Sequence, residues 1–154
     1  MEIPTQTANE IFMINRINAL IKRKNSCVLA TMDGHAPHCS LMAYTVSKDG
    51  DRLYLVTQRD TKKYRNIRRH PGVSLLIDTR DEQSRSQTEA LTVSGTCHIL
   101  KDIEEISKVK EAFKRHHPQL GTLIGKGGIA FLSVAFESFL FLEGPEKAYR
   151  ENLK

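Results

Sequence analysis

Apolar positions along the chain recur first with a helical period and then with a strand period. Ile11, Ile14, Ile17 and Ile21, with Leu20, fall at helical spacing and predict one buried stripe. Thr7-Ala-Asn-Glu10 opens that helix as a capping box, because the Thr7 hydroxyl and the Glu10 side chain can each satisfy a free N–H of the first turn. The spacing carries it to about Lys24. Beyond Lys24 the pattern shortens to apolar, β-prone runs. Ser26–Met32 and Pro37–Val46 flank Asp33-Gly34, and Asp51–Thr57 follows Asp49-Gly50. Two Asp-Gly turns between such runs predict an antiparallel meander. A two-residue turn at Asp33-Gly34 sets Val28 opposite Cys39 and Cys27 opposite Ser40, so Cys27 and Cys39 point to opposite sides and form no disulfide.

Leu53–Asp78 reads as strand, tight turn, short basic helix, Pro-Gly turn and strand. Asp60 or Thr61 caps the helix, which runs to about His70 and is stopped by Pro71-Gly72. Val73–Ile77 supplies the next strand. Thr79–Thr88 is polar throughout and is expected to be a mobile loop. Glu89–Leu100 alternates, with Leu91, Val93, Cys97 and Ile99 on one face, and Gly95 reads as a bulge that bends the strand. Asp102-Ile-Glu-Glu105 opens a further helix with an apolar stripe of Ile103, Ile106, Val109 and Phe113, ending near His116-His117-Pro118. A glycine-rich turn follows. Ile129–Ala135 and Phe136–Leu142 are one or two closing strands, and Gly144-Pro145 ends the regular structure before a polar tail.

Six strands in meander order with short turns exclude a doubly wound parallel sheet, whose crossovers need more chain. The fold expected is mainly β (α+β): a six-stranded antiparallel split or closed barrel with peripheral helices. At 154 residues, 40% hydrophobic and 27% charged, residues 1–154 make one domain with its core at about 25–142. No apolar run reaches the roughly 18 residues of a membrane span, and no basic-then-apolar segment opens the chain, so a cytoplasmic protein is expected. Three cysteines without paired spacing read as buried thiols in a reducing compartment.

The formal net charge is +5, and much of the excess is local: Arg59, Lys62, Lys63, Arg65, Arg68 and Arg69 face only Asp60 nearby. A helix N-terminus with free N–H groups, the Thr57 and Thr61 hydroxyls and the Lys62 and Lys63 ammonium groups suits a phosphate. Arg65, Arg68 and Arg69 read as a solvated face. The scarcity of aromatic residues and the lack of Trp argue against a nucleic-acid stacking platform. Lys22, Arg23 and Lys24 read either as an anion patch or, on their placement, as cations matched to a helix C-terminus. Gly121–Gly128 is one residue short of a P-loop and lacks the following hydroxyl, so it reads as a flexible turn. His35, His38 and Cys39, or His116 with His117, lack the spacing of a closed zinc site; a single axial haem ligand would leave no spacing signature. No Ser or Cys sits in a nucleophile elbow, so redox chemistry would have to come from a cofactor.

A strand ending in Thr57, then Thr61-Lys62-Lys63, then Asn66-Ile67 and His70-Pro-Gly-Val-Ser-Leu-Leu76 resembles the flavin-binding segment of the pyridoxamine 5′-phosphate oxidase-like proteins. The resemblance spans about Asn25 to Leu142 and implies an FMN-binding split β-barrel. It implies that Val56 and Thr57 occupy the strand end beside the phosphate, that Lys62 and Lys63 are its basic ligands next to Thr61, and that the backbone of Leu41–Val46 lines the flavin ring with Met42, Ala43 and Tyr44 nearest. It also implies a homodimer with FMN between subunits; the scarcity of aromatic residues and the lack of a long apolar run lead to no nucleic acid and no membrane as partners. Two departures bear on activity. Val46 stands where the true oxidase has a basic residue that helps hold its substrate, and the chain finishes without that enzyme's terminal Arg- and His-bearing strand. The expectation is therefore an FMN-dependent oxidoreductase acting on another small molecule. The alternatives are a haem-binding or haem-degrading split barrel and a non-catalytic flavin-binding protein.

Overall fold

The first helix, α1 (Ala8–Arg23), closes its N-terminus with the expected capping box in the computed structural model, which describes residues 7–82, 84 and 86–153. The Glu10 N–H donates to Thr7 Oγ1 at 3.1 Å and the Thr7 N–H to Glu10 Oε2 at 2.9 Å. Met13, Ile17, Leu20 and Ile21 are its buried residues, and Ile11 is exposed. Helical geometry explains the difference. Met13, Ile17, Leu20 and Ile21 share one face, whereas Ile11 lies about 240° around from Ile17 at about 100° per residue.

The strands are β1 (Ser26–Met32), β2 (Pro37–Ala43), β3 (Thr45–Val46), β4 (Arg52–Gln58), β5 (Gly72–Asp78), β6 (Glu89–Ile99), β7 (Ile129–Glu143) and β8 (Lys147–Asn152). Helices α2 (Lys62–Arg69), α3 (Ile103–His116) and α4 (Gly121–Gly125) complete the chain, with a 3-10 turn at Pro118–Leu120. All pairings are antiparallel and form one eight-stranded sheet in the order β2-β1-β5-β6-β7-β4-β3, with β8 added on β7. Only Tyr44 separates β2 from β3, so the two ends of this order are one continuous stretch of chain. The sheet thereby curls into an antiparallel barrel that is split between β2 and β4.

The expected count of six strands was low for two local reasons. The strand after Asp33-Gly34 breaks at Tyr44 into β2 and β3. The expected polar tail pairs with β7 from Glu143↔Lys147 to Ser138↔Asn152. β8 is an edge strand with largely exposed side chains, and of these Tyr149 packs against the core. The apolar run from Ile129 is a single strand, β7, paired with β6 from Leu132 to Glu143 and with β4 from Ile129 to Ala135. The glycine-rich turn contains α4, whose Ile124 is buried.

The β1–β2 hairpin is also wider than a two-residue turn. Asp33 Oδ1 accepts the N–H groups of His35 and Ala36, both at 2.8 Å, so the turn spans Asp33–Ala36 and Val28 pairs with Leu41. A shift of two residues preserves the faces. Cys27 is buried and Cys39 is exposed, so the expectation of uniformly buried thiols fails at Cys39. The Thr79–Thr88 connection, expected to be a mobile loop, includes positions 83 and 85, which lie outside the described residues; at its start Thr79 is buried, its Oγ1 accepts from the Glu89 N–H at 2.9 Å, and Lys24 Nζ lies 2.6 Å from Asp81 and 2.9 Å from Glu82.

One apolar cluster fills the barrel, including Leu29, Leu53, Leu55, Leu75, Ile77, Leu91 and Phe141. A second lies outside it beneath α3, where Val109 and Phe113 meet Val56, Phe131 and Ile124. Ile103, expected in that stripe, is exposed, since it stands six residues before Val109 and so about 240° off its face. No helix among the described residues is long and apolar enough to cross a membrane.

The register between β6 and β7 shifts at Ser94/Gly95, as expected of a bulge. A Cβ on Gly95 would fall inside contact distance of the Ala135 carbonyl oxygen, while one on Gly72 would meet nothing within 4 Å. Gly95→Ala is therefore expected to lower the unfolding free energy by about 1–3 kcal/mol, with Gly72→Ala nearly neutral. Urea denaturation of the two variants checks this.

Candidate functional site

The split exists because Tyr44 is held at a corner from three sides. Its N–H donates to the Asn25 carbonyl at 3.0 Å, its carbonyl accepts from His117 Nε2 at 2.8 Å, and its phenol donates to the Ile21 carbonyl at 2.6 Å. Ile21 is in the last turn of α1, where carbonyls lack intrahelical donors. The ring is buried, and burial raises the phenol pKa well above its ordinary value. Before Tyr44 the strand belongs to β1; after it, Thr45 pairs with Tyr54 and Val46 with Leu53. No ladder forms between β2 and the Val56–Gln58 end of β4. Backbone polarity alternates along an antiparallel strand, so Tyr44 and Met42 turn toward β1 and Leu41 and Ala43 toward the split.

A cleft of about 300 Å³ occupies this gap. Leu41, Met42 and Ala43 form one wall, and Val56, Thr57 and Gln58 the other. Thr61 and Lys63 close one end, and Leu120 and Leu123 add an apolar flank. Thr57 Oγ1 lies 3.2 Å from Thr61 Oγ1. Thr61 is the N-cap of α2: it accepts the Tyr64 N–H at 3.4 Å and donates to the Gln58 carbonyl at 2.8 Å. The first-turn N–H groups of Lys62 and Lys63 have no intrahelical acceptor.

The inward face of α2 decides which lysine serves the cleft. Asn66 Nδ2 donates to the buried Thr31 Oγ1 at 3.0 Å, and Ile67 is buried beside it. Lys63 stands three and four residues before these two, so it shares their face. Lys62 is one residue around the helix, and its ammonium lies 3.7 Å from the Asp33 carboxylate. The Asp33 carboxyl is held below its usual range by the Ala36 and His35 N–H groups, with Lys62 adding to the effect. Of the residues expected at the site, Met42, Ala43, Val56, Thr57, Thr61 and Lys63 meet at this cleft. Tyr44 is turned into the core and Lys62 toward the hairpin. Leu120 and Leu123 escaped the sequence reading because their surroundings looked like a loop; their helical spacing was the only signal.

The remaining candidates have structural or solvent roles. His117 is buried with Nε2 engaged at Tyr44, and His116 is exposed. Arg65, Arg68 and Arg69 are exposed, with the Arg68 guanidinium 5.9 Å from the Tyr64 ring centre. Burial pushes the Cys27 and Cys97 thiols up to about 12, which removes both as thiolate nucleophiles. No group of three or more His, Cys, Asp or Glu side chains among the described residues is placed to hold a metal. Chemically, the cleft offers hydroxyls, an ammonium and free N–H groups at one end and an apolar slot with backbone donors and acceptors along its length.

An antiparallel split barrel with a helix start beside its split defines the class. The particular family follows: a family model described as pyridoxamine 5′-phosphate oxidase matches residues 13–143, and the chain belongs to that family. No curated protein matches the sequence. Among solved structures the chain is similar to ChuZ from Campylobacter jejuni, with a TM-score of 0.81 at 16% identity over 97% of this chain and 62% of that one. A heme binding protein from Mycobacterium smegmatis gives 0.75 at 15% identity over 97% and 60%. A FAD-binding protein from Mesorhizobium loti gives 0.67 at 16% identity over 83% and 90%. The chain thus spans about three fifths of the first two proteins. At these identities the likeness establishes the fold.

Tyr44→Phe removes the donor to Ile21 and leaves that buried carbonyl unpaired. The variant is expected to lose about 1–3 kcal/mol of stability while keeping its fold. Urea unfolding together with far-UV circular dichroism checks both parts.

Proposed function

We propose that this protein binds FMN in the barrel split, works as a homodimer, and is an oxidoreductase for a small molecule other than pyridoxamine 5′-phosphate. The observation that carries the reading is the pairing of Thr57 and Thr61 hydroxyls with Lys63 at the N-terminus of α2, at one end of an apolar slot. That donor set fits a phosphate monoester with a flat, largely apolar body. Lys63, the Thr57 hydroxyl and the first-turn N–H groups would hold the phosphate, with Thr61 fixing the Thr57 hydroxyl from its place at the N-cap. The backbone of Leu41 and Ala43 would meet the polar edge of the ring, and Leu120 and Leu123 would exclude water. The isoalloxazine supplies redox chemistry when bound. Val46 is half-buried against Leu53 and offers no charge to a substrate phosphate, which supports a substrate other than the vitamin B6 compounds.

The likeness to a FAD-binding protein supports a flavin, and the likeness to a heme binding protein supports haem as the second reading. Haem needs an axial ligand; Met42 is the one side chain lining the cleft of a type that ligates haem, and it is packed in the barrel core. Flavin is therefore preferred. The outer sheet face supports the dimer. Leu41, Val28, Leu76, Thr92 and Leu140 sit in one cross-strand row, and Leu41, beside the cleft mouth, is 78% exposed. A second copy seated on this row would cover both the apolar face and the open side of the cleft.

Titration of the reconstituted protein with FMN tests the site. Lys63→Ala is expected to weaken affinity about ten- to hundredfold, Lys62→Ala less than about fivefold, and Arg68→Ala not at all. Unchanged affinity in Lys63→Ala places the site elsewhere, and a Soret band in place of flavin absorbance would select haem.

The dimer has its own test. Light scattering of the FMN-loaded protein at micromolar concentration is expected to give twice the chain mass, and Leu76→Arg the monomer. A wild-type monomer with cofactor bound contradicts the assembly.

A further inference from the structure

Most sides of the cleft are tied into the fold. β2 is paired with β1 along its whole length and β4 with β7, while α2 is pinned by Asn66 and Ile67. The apolar flank is different, because Leu120 and Leu123 belong to the stretch between α3 and β7, which is held at its ends. At one end His117 is 2% exposed, its Nε2 lies 2.8 Å from the Tyr44 carbonyl, and its own carbonyl accepts the Leu120 N–H at 2.9 Å. At the other end the Gly128 carbonyl accepts the Arg59 N–H at 2.9 Å, on the turn that leads to Thr61. The stretch thus bridges the Tyr44 corner and the start of α2. Between its ends Ile124 is the one buried residue, seated among Val56, Val109, Phe113 and Phe131. The helix within it, α4, has five residues, too few to be stable alone, and Gly121 and Gly125 stand at its two ends. Gly121 is in the right-handed helical region, neither glycine has a positive φ, and a Cβ on either would meet nothing within 4 Å. Neither conformation nor space calls for glycine there, and glycine gives up more backbone freedom on ordering than any other residue.

We propose that residues 118–127 form a strap that opens and closes over the barrel split, with Ile124 as its latch and Gly121 and Gly125 as its points of give. Closed, the strap sets Leu120 and Leu123 against the slot. Opening withdraws Ile124 from the cluster beneath α3 and uncovers the gap between β2 and β4 for a flat, largely apolar ligand, while His117 and Gly128 keep the ends in place. Losing the contacts of one isoleucine and two half-buried leucines costs far less than unfolding α3 or β7, so the strap opens on its own. The inference rests on the reading of the split as a ligand site and adds the route into it. A second copy seated on the outer sheet face covers the open side of the cleft and leaves the strap as the side free to move. Ligand then enters and leaves no faster than the strap opens.

Amide hydrogen exchange of the full chain, paired with stopped-flow FMN binding read by flavin fluorescence, tests this. In the ligand-free protein the amides of Ile124 and Lys126 are expected to exchange at least about tenfold faster than those of Val109 and Leu132. The double variant Gly121→Ala, Gly125→Ala stiffens α4 and is expected to slow exchange at Ile124 and Lys126 about threefold or more. Because it stabilises the closed strap with and without ligand, FMN association and release are both expected to slow by a similar factor, with affinity changed less than about twofold. Ile124→Ala removes the latch and is expected to speed both steps. Gly72→Ala, whose added Cβ also meets nothing within 4 Å, is the control and leaves exchange and rates unchanged. Protection of Ile124 and Lys126 equal to that of Val109, or double-variant rates equal to wild type, would overturn the strap. If FMN fails to bind at all, the cofactor reading falls, and the exchange of the double variant alone decides the strap.

Discussion

Everything at the candidate site depends on the Tyr44 corner. A strand that ran straight from β2 would pair with β4 along its whole length and close the barrel without a gap. The three hydrogen bonds at Tyr44 prevent this by tying its N–H to Asn25, its carbonyl to His117 and its phenol to the end of α1. Each bond satisfies a group that burial would otherwise leave unpaired, so the kink is enforced by the cost of breaking it rather than by local propensity. The consequence is a length of strand edge with no partner. Open edges of this kind invite another chain or a ligand, and here the opening is flanked by a helix start and an apolar turn.

The helix start is positioned by the same logic from the other side. α2 is short and strongly basic, and it has little stability of its own. It stays in place because Asn66 bonds Thr31 within the fold and Ile67 joins the barrel core. Those anchors set the rotation of the helix, and the rotation sends Lys63 to the cleft and Lys62 to Asp33. The capping hydroxyl of Thr61 is thereby brought against Thr57, so the residue that begins the helix also supplies part of the site. One side chain thus caps the helix and lines the cleft.

This division explains what could be read in the sequence. Features fixed by neighbours along the chain were legible: the Thr7–Glu10 box, the Pro71-Gly72 stop, the Gly95 bulge, and the hydroxyls and lysines gathered around the start of α2. Features fixed by distant contacts were not. Which of two adjacent lysines faces inward depends on the bond from Asn66 to Thr31, 35 residues earlier. The resemblance set Tyr44 beside the flavin ring, and its real engagement was hidden because its three partners lie in α1, in the residue before β1 and after α3. β8 is polar because it is an edge, and an edge strand without apolar alternation is indistinguishable from a tail. At Asp33 a carboxylate that accepts two backbone N–H groups widened a turn the dipeptide alone suggested was tight. That shift happened to be even, which is why the inward and outward faces of β1 and β2 were still assigned correctly.

The basic excess of the chain also takes on a shape that composition cannot convey. On α1 the last cations divide, with Arg23 and Lys24 neutralised by the Asp81–Glu82 turn and Lys22 left toward a cavity shared with Arg115. On α2 the division is Lys62 to Asp33 and Lys63 to the cleft. In both places one carboxylate-bearing turn absorbs the charge that would otherwise repel its neighbour, and an uncompensated ammonium remains beside a concave surface. Field lines focus in such concavities, so a modest net charge can act strongly on small anions. Because the polar groups of Tyr44 are all engaged internally, neither cavity can draw on its backbone or its phenol. The cleft has to find its donors in flanking hydroxyls and cations, and Thr57 with Lys63 is the set the fold provides.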